Sequence, residues 1–198
     1  MSTGTTIRPT PTISKAVLVV GAMLALMWAL EAFDQLTGNS LDPLGIHPRD
    51  IDSIGNIALA PWLHFGWGHL ISNSIPFLVL GTIIFVAGAA RWVVTTLITA
   101  ASSGGLVWLI SPPASVTAGV SGVIFGYLTY LLVRGFFTRS LGQIGVAIVV
   151  FLLYGGLLMG VLPGLPGVSW QGHLGGAIGG IFAAWWQHGR DQRRAQMS

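Results

Sequence analysis

Six apolar runs, each near the length that crosses a lipid bilayer, divide this chain and limit its fold more than any other feature. They run from about Lys15 to Phe33, His69 to Ala87, Arg91 to Ile110, Ser121 to Arg134, Leu141 to Leu162, and His173 to His188. Turn-forming clusters break the pattern, notably SPPAS at 111–115 and PGLPG at 163–167. Only 8% of the residues are charged, where a soluble domain carries about 25%. So few charges cannot cover a water-facing surface. The expected fold is therefore all-α, a six-helix bundle in a membrane. No small-x-small cleavage site follows the first run, which reads as a retained span and not a cleaved signal. The organisation is a short polar tail over 1–14, a six-helix core over 15–188 and a basic tail over 189–198. The connection at 34–68 is too long for a simple turn and should carry structure of its own.

The chain has no cysteine, which removes disulfides, thiolate metal sites and a cysteine nucleophile. Its net charge of +3 is modest, and the basic residues are scattered over loops without interleaved aromatics. Nucleic acid is not an expected partner. The basic residues do set an orientation. Arg8, Lys15, Arg91, Arg134, Arg139, Arg190, Arg193 and Arg194 fall on one side of a six-span chain, and only Arg49 falls on the other. The first group should face the cytoplasm, with both termini. A multi-pass protein of a bacterial plasma membrane fits this pattern.

In that topology spans two, four and six all begin at the non-cytoplasmic face. Their first turns carry His69 and Asn73, Ser121, and His173. Three helices distant in sequence thus bring polar groups to one depth and one side. Polar groups inside a bilayer are costly and mark function. Each also sits at a helix N-terminus, where free N–H groups and the positive end of the dipole favour developing negative charge. Span four is short: at 1.5 Å per residue it reaches about 24 Å, against a hydrocarbon core of about 30 Å. Its outer end should lie recessed, in a cavity that water can reach. Gly122 and Gly126 are four apart on span four, as are Gly176 and Gly180 on span six. Such small-xxx-small faces let helix backbones approach closely, which would set His173 beside Ser121. A serine hydroxyl bonded to an imidazole is a minimal activated nucleophile. No Asp or Glu lies within spans two to six, so a dyad without a carboxylate is expected. His69 and Asn73 share one helix face and can donate hydrogen bonds to an oxyanion.

The same residues resemble the rhomboid intramembrane serine proteases. HFGWGHLISN at 64–73 is similar to their His-x4-His-x3-Asn motif, and GVSG at 119–122 to their Gly-x-Ser-Gly motif. GHLGGAIGG at 172–180 resembles their Ala-His-x2-Gly-x3-Gly motif. The three stand in family order on the second, fourth and sixth spans. The resemblance implies Ser121 as nucleophile and His173 as general base, with His69, Asn73 and the Ser121 N–H as the oxyanion hole. It implies structural support from His64, Gly119, Gly122, Phe125, Gly176 and Gly180. The implied substrates are single-span membrane proteins cut near the outer face, admitted laterally between spans two and five. No cofactor or metal is implied. Three departures bear on rate and substrate preference: Phe125 stands where many members have tyrosine, Gly172 replaces alanine, and a Trp-Arg pair of the first loop is missing, HPRD standing at 47–50.

Rival readings differ in what they require. His64, His69 and His173 could be metal ligands, but no His-Glu-x-x-His motif accompanies them. Rhomboid-like proteins that bind membrane clients without cutting them typically lack the serine or the histidine, and this chain has both. A transporter would need charged groups through the whole bilayer. Trp170 reads as an interfacial anchor or part of a capping loop, Tyr127 and Tyr130 as packing, and His188 as an interfacial histidine with nothing facing it.

Overall fold

The computed structural model describes residues 12–197; the first part of the polar tail, including Arg8, and Ser198 lie outside the described residues. Seven helices follow one another: α1 (Ile13–Leu36), α2 (Asn56–Leu59), α3 (Trp67–Val86), α4 (Ala89–Ile110), α5 (Ser121–Thr138), α6 (Leu141–Tyr154) and α7 (Trp170–Met197). There is no strand among the described residues, and one isolated bridge pairs Ile46 with Thr117. The six apolar runs correspond to α1 and α3 to α7, within a few residues at most ends, but α6 stops at Tyr154 and passes into a 3-10 stretch, and α7 runs nine residues beyond His188. Local chemistry explains several limits. Thr12 caps α1, its hydroxyl accepting from the Lys15 N–H at 3.3 Å. α4 stops at Ile110, ahead of Ser111 and two prolines that cannot continue it. Gly155 and Gly156 loosen the end of α6, which passes into a 3-10 stretch over Gly155–Val161. Ser169 caps α7, its hydroxyl accepting from the Gly172 N–H at 3.3 Å.

Five of these segments are long and apolar enough to cross a membrane: α1, α3, α4, α5, and α6 with its 3-10 extension. The protein is an integral membrane protein. α7 falls outside that set because glycines, His173, Gln171 and Gln187 dilute its apolar residues. Burial explains the dilution, since Gln171, Gly176, Gly180, Ala183 and Gln187 are all buried among neighbouring helices rather than facing lipid. The stretch read as a tail continues α7 as helix through Met197. Arg190 lies over the Trp186 ring at 4.7 Å, and Asp191 pairs with Arg91 at 3.1 Å.

α5 is the axis of the bundle, with 61% of its span buried, whereas the α6 span is only 11% buried. Its closest partner is α7. A methyl group at Gly176 would overlap the carbonyl of Gly122, and one at Gly180 would overlap the carbonyl of Gly126. The two helices meet backbone to backbone, and the Thr129 hydroxyl bonds across to the Ala177 carbonyl at 2.8 Å. Other glycines face α4: a methyl at Gly126 would overlap Thr99, and one at Gly175 would lie 2.6 Å from the Ser102 carbonyl. Tyr127 and Tyr130 pack fully buried, but each also carries a hydrogen bond, to Thr96 at 2.6 Å and to Gln187 at 3.1 Å. His188 does have a neighbour: its ring stacks on Phe137 with centroids 6.2 Å apart.

The contact between α5 and α7 cannot give way, because backbone atoms have no rotamers. Gly176→Ala is therefore expected to lower the thermal unfolding midpoint in detergent by the equivalent of at least about 1–3 kcal/mol, the usual overpacking cost. Gly21→Ala, which adds a methyl into open space on α1, should leave the midpoint within a degree or two of the parent or above it.

Candidate active site

The first loop builds the floor of the site before any catalytic group enters. It folds as 3-10 turns at Asp42–Leu44, Ile51–Ser53 and Ala60–Trp62 with α2 between them. Ile46 and Thr117 exchange backbone hydrogen bonds at 2.8 and 3.1 Å, and the Gly119 N–H donates to the Ala60 carbonyl at 2.8 Å. The Val120 N–H reaches His64 Nε2 at 3.5 Å. The segment leading into α5 is thus held from Thr117 to Val120. His64 can accept only as a neutral ring, and its surroundings keep it so: burial, then the nearby His69, push it down to about 3. Arg49 locks the same loop to α4. It has a left-handed backbone at φ 59, and its guanidinium donates to the Leu109 carbonyl at 3.0 Å. A cation there satisfies an end carbonyl of α4. The Trp108 indole returns a bond to the Asp50 carbonyl at 2.8 Å. HPRD at 47–50 therefore clamps the loop, although no Trp-Arg pair is present.

Gly119 shows why this turn is so specific. Its φ is 122°, where a side chain is strained, and a methyl there would lie 2.6 Å from His69 Cε1. The imidazole of His69 fills the space that the missing side chain leaves. His69 also meets the edge of the His64 ring, with centroids 5.1 Å apart.

Ser121 opens α5, so the N–H groups of the first turn have no acceptor within the helix. Its Oγ lies 2.9 Å from Nε2 of His173. The His173 ring lies flat on Phe125, with centroids 3.9 Å apart and an interplanar angle of 11°. Its other nitrogen, Nδ1, is 3.0 Å from the carbonyl of Gly160, in the 3-10 stretch after α6. A carbonyl only accepts, so Nδ1 carries the ring proton and Nε2 presents a lone pair to the serine hydroxyl. Asn73 is 7% exposed, and its Nδ2 is buried without a partner among the described residues. A buried amide donor left open is a cost that a ligand or an intermediate would relieve.

These groups line one cavity of about 740 Å³. Its walls include His69, Asn73, Ser121, Phe125, Trp170 and His173, so Trp170 faces the cavity rather than a lipid interface alone. His64 stays behind the cavity wall. Among the described residues, no three His, Cys, Asp or Glu side chains form a group suited to a metal.

Several contributors carry no motif in the sequence. Ser103 on α4 donates to the Gly172 carbonyl at 2.9 Å, tying α4 to the first turn of α7. A methyl at Gly172 would come within 3.3 Å of Val107 and of the Ser169 hydroxyl, so glycine suits the crowded start of this helix. The role of Gly160 is played by a main-chain atom, which no side-chain pattern announces.

Comparison with known proteins identifies the family. A family model described as the Rhomboid domain matches residues 53–190, well over half the chain. An uncharacterized protein of Mycobacterium tuberculosis is 41% identical over 192 residues, covering 93% of this chain and 79% of its own length. An uncharacterized protein of Mycobacterium leprae is 45% identical over 170 residues, covering 82% of this chain and 67% of its own. A protein named rhomboid protease GluP, from Bacillus subtilis, is 33% identical over 125 residues, covering 62% of this chain and 24% of its own length. The matched span begins within the first-loop brace and ends inside α7, and on that basis the chain belongs to the rhomboid family.

Proposed function

We propose that this protein is an intramembrane serine endopeptidase that hydrolyses peptide bonds of transmembrane substrates near the outer membrane face. The observation that carries the reading is the 2.9 Å approach of Ser121 Oγ to His173 Nε2 inside a cavity, with Nδ1 of the same ring held at 3.0 Å by a carbonyl. Ser121 Oγ attacks the substrate carbonyl carbon and its proton passes to Nε2. The tetrahedral oxyanion is met by the Ser121 N–H, the Asn73 amide and His69, donors fixed before the charge develops. His173 then returns the proton to the leaving amine. Water, activated by the same nitrogen, releases the acyl group from Ser121 and restores the enzyme. Phe125 keeps the imidazole plane by stacking, without the hydroxyl that many family members carry there. The Rhomboid domain match supports the same class of reaction.

The membrane arrangement belongs to this proposal. The six apolar runs supply six spans, and the positions of Lys and Arg place both termini in the cytoplasm and the cavity at the outer side of the membrane. The mycobacterial relatives suit a bacterial membrane. Substrate helices would pass between α3 and α6 and must unwind locally, since helical carbonyls are already bonded. The alternative, a catalytically weak rhomboid-like protein that binds membrane clients, keeps the cavity but needs no turnover.

A fluorophosphonate probe should label the purified protein in liposomes, and a single-span reporter should be cut. Both signals are expected to vanish in Ser121→Ala and His173→Ala; a folded parent that neither labels nor cuts would favour client binding. Asn73→Ala should lower kcat by about 10²–10³, the effect of losing one oxyanion donor, while KM changes little. Because the native chain has no cysteine, single cysteines report topology cleanly. In Ser115→Cys the thiol should react with a membrane-impermeant maleimide in intact cells, and in Ser140→Cys only after the membrane is opened. Labelling of both from one side would overturn the orientation.

A further inference from the structure

The carbonyl that meets His173 Nδ1 is not an ordinary helix carbonyl. In a 3-10 stretch the carbonyl of Gly160 would accept from the N–H three residues on, which is position 163. That residue is Pro163, which has no N–H. The chain also leaves the helical path at Leu162, at φ −86° and ψ 141°, and turns at Gly164 with φ 114°. The Gly160 carbonyl is therefore left without a backbone donor and aimed at α7. Only glycine fits at this point: a methyl at 160 would lie 2.8 Å from Phe125 Cζ and 3.0 Å from His173 Nδ1.

The span that delivers this carbonyl is the least buried of the five. α6 exposes Ile148, Phe151, Leu152 and Leu153 along its length. At its start it is fastened to α5, where Gln143 accepts from Arg134 at 2.9 Å and a methyl at Gly135 would press on the Ile144 N–H at 2.9 Å. At its far end Leu157 and Leu158 pack on the core, and among the described residues the polar tie is the one to the imidazole.

We propose that the Gly160 main-chain carbonyl, freed by Pro163, is the positioning third member of the site, so that His173 is correctly protonated only while the end of α6 is seated. This rests on the proposed protease reading. Seated, the carbonyl fixes the proton on Nδ1 and leaves Nε2 free to take the proton of Ser121. When the end of α6 swings out to admit a helix, the imidazole loses its acceptor, and it regains function when the segment returns over the bound substrate. Hydrolysis is thereby tied to closure of the lateral gap.

The test reads the ring directly. The protein, with five histidines, is labelled with ¹⁵N-histidine in detergent micelles, and the His173 signals are assigned by difference against His173→Ala. In the parent and in Gly145→Ala, which adds a methyl to α6 in open space, His173 should be a single tautomer protonated at Nδ1. Gly160→Ala should shift it to a mixed or Nε2-protonated ring and lower kcat about tenfold or more, since a wrongly protonated catalytic histidine costs up to about 10⁴. Pro163→Ala, which returns a competing N–H without touching any side chain of the site, should move both readouts the same way and carries the test if Gly160→Ala does not fold. A parent not protonated at Nδ1, or variants that keep the parent tautomer or the parent kcat while the parent cuts substrate, would overturn the inference. The spectrum is read whether or not any substrate is cut. A shifted tautomer in a protein that never cleaves would sink the protease reading and leave the positioning intact.

Discussion

Everything in this structure depends on the backbone contact between α5 and α7. Gly176 and Gly180 set their α-carbons against the carbonyls of Gly122 and Gly126, and no side chain intervenes. Lipid supplies no hydrophobic drive for helices to associate, so close packing and hydrogen bonds across the contact must hold them together. The same contact defines the chemistry. Ser121 lies one residue before Gly122 and His173 three residues before Gly176, so the spacing of the glycines carries the two side chains to hydrogen-bond distance. A shift of one helix along the other would separate them by more than a bond length.

Around this rigid pair the rest of the molecule divides into braces and a movable wall. The first loop is a brace, holding residues 117–120 by backbone bonds and by neutral His64. α4 is another, with Ser103 bonded to the start of α7 and Arg49 gripping its end. At the opposite end of the bundle a polar network does similar work. Asp191 draws in Arg91 and Arg134, Arg134 reaches the Tyr130 hydroxyl, and Gln187 bonds Tyr130 and Thr95. These groups are partly or wholly buried, where hydrogen bonds and ion pairs between helices favour one arrangement of them. α6 belongs to neither brace; polar contacts fasten its base, and the 3-10 stretch after it lines the cavity with Gly156, Leu157 and Met159 and meets His173 through the Gly160 carbonyl.

The departures from the family pattern become intelligible in this light. Phe125 has no hydroxyl with which to steer the imidazole, yet the stack at 3.9 Å fixes the ring plane and the Gly160 carbonyl fixes the proton. Gly172 sits where α4 and Ser169 leave little room for a methyl group. The missing Trp-Arg pair of the loop is answered by Arg49 and Trp108, which join the loop to α4 by bonds in both directions.

Much of this was readable from composition and spacing. Apolar runs of this length become helices in a membrane because every backbone group has to be bonded internally. Once the spans are placed, Ser121, His173, His69 and Asn73 fall at matching helix starts, and glycine spacing names the faces that touch. Side chains with distinctive chemistry leave a mark at their own position. The Gly160 carbonyl, the bonds from Ile46 and Ala60, and the grip of Arg49 on Leu109 leave none. Every residue has a carbonyl, and which one ends up opposite an imidazole depends on how a turn between α6 and α7 is folded in space. Ser121 and His173 were written in residue identity, whereas the proton's position on His173 was settled only when tertiary packing brought an unbonded main-chain oxygen to it.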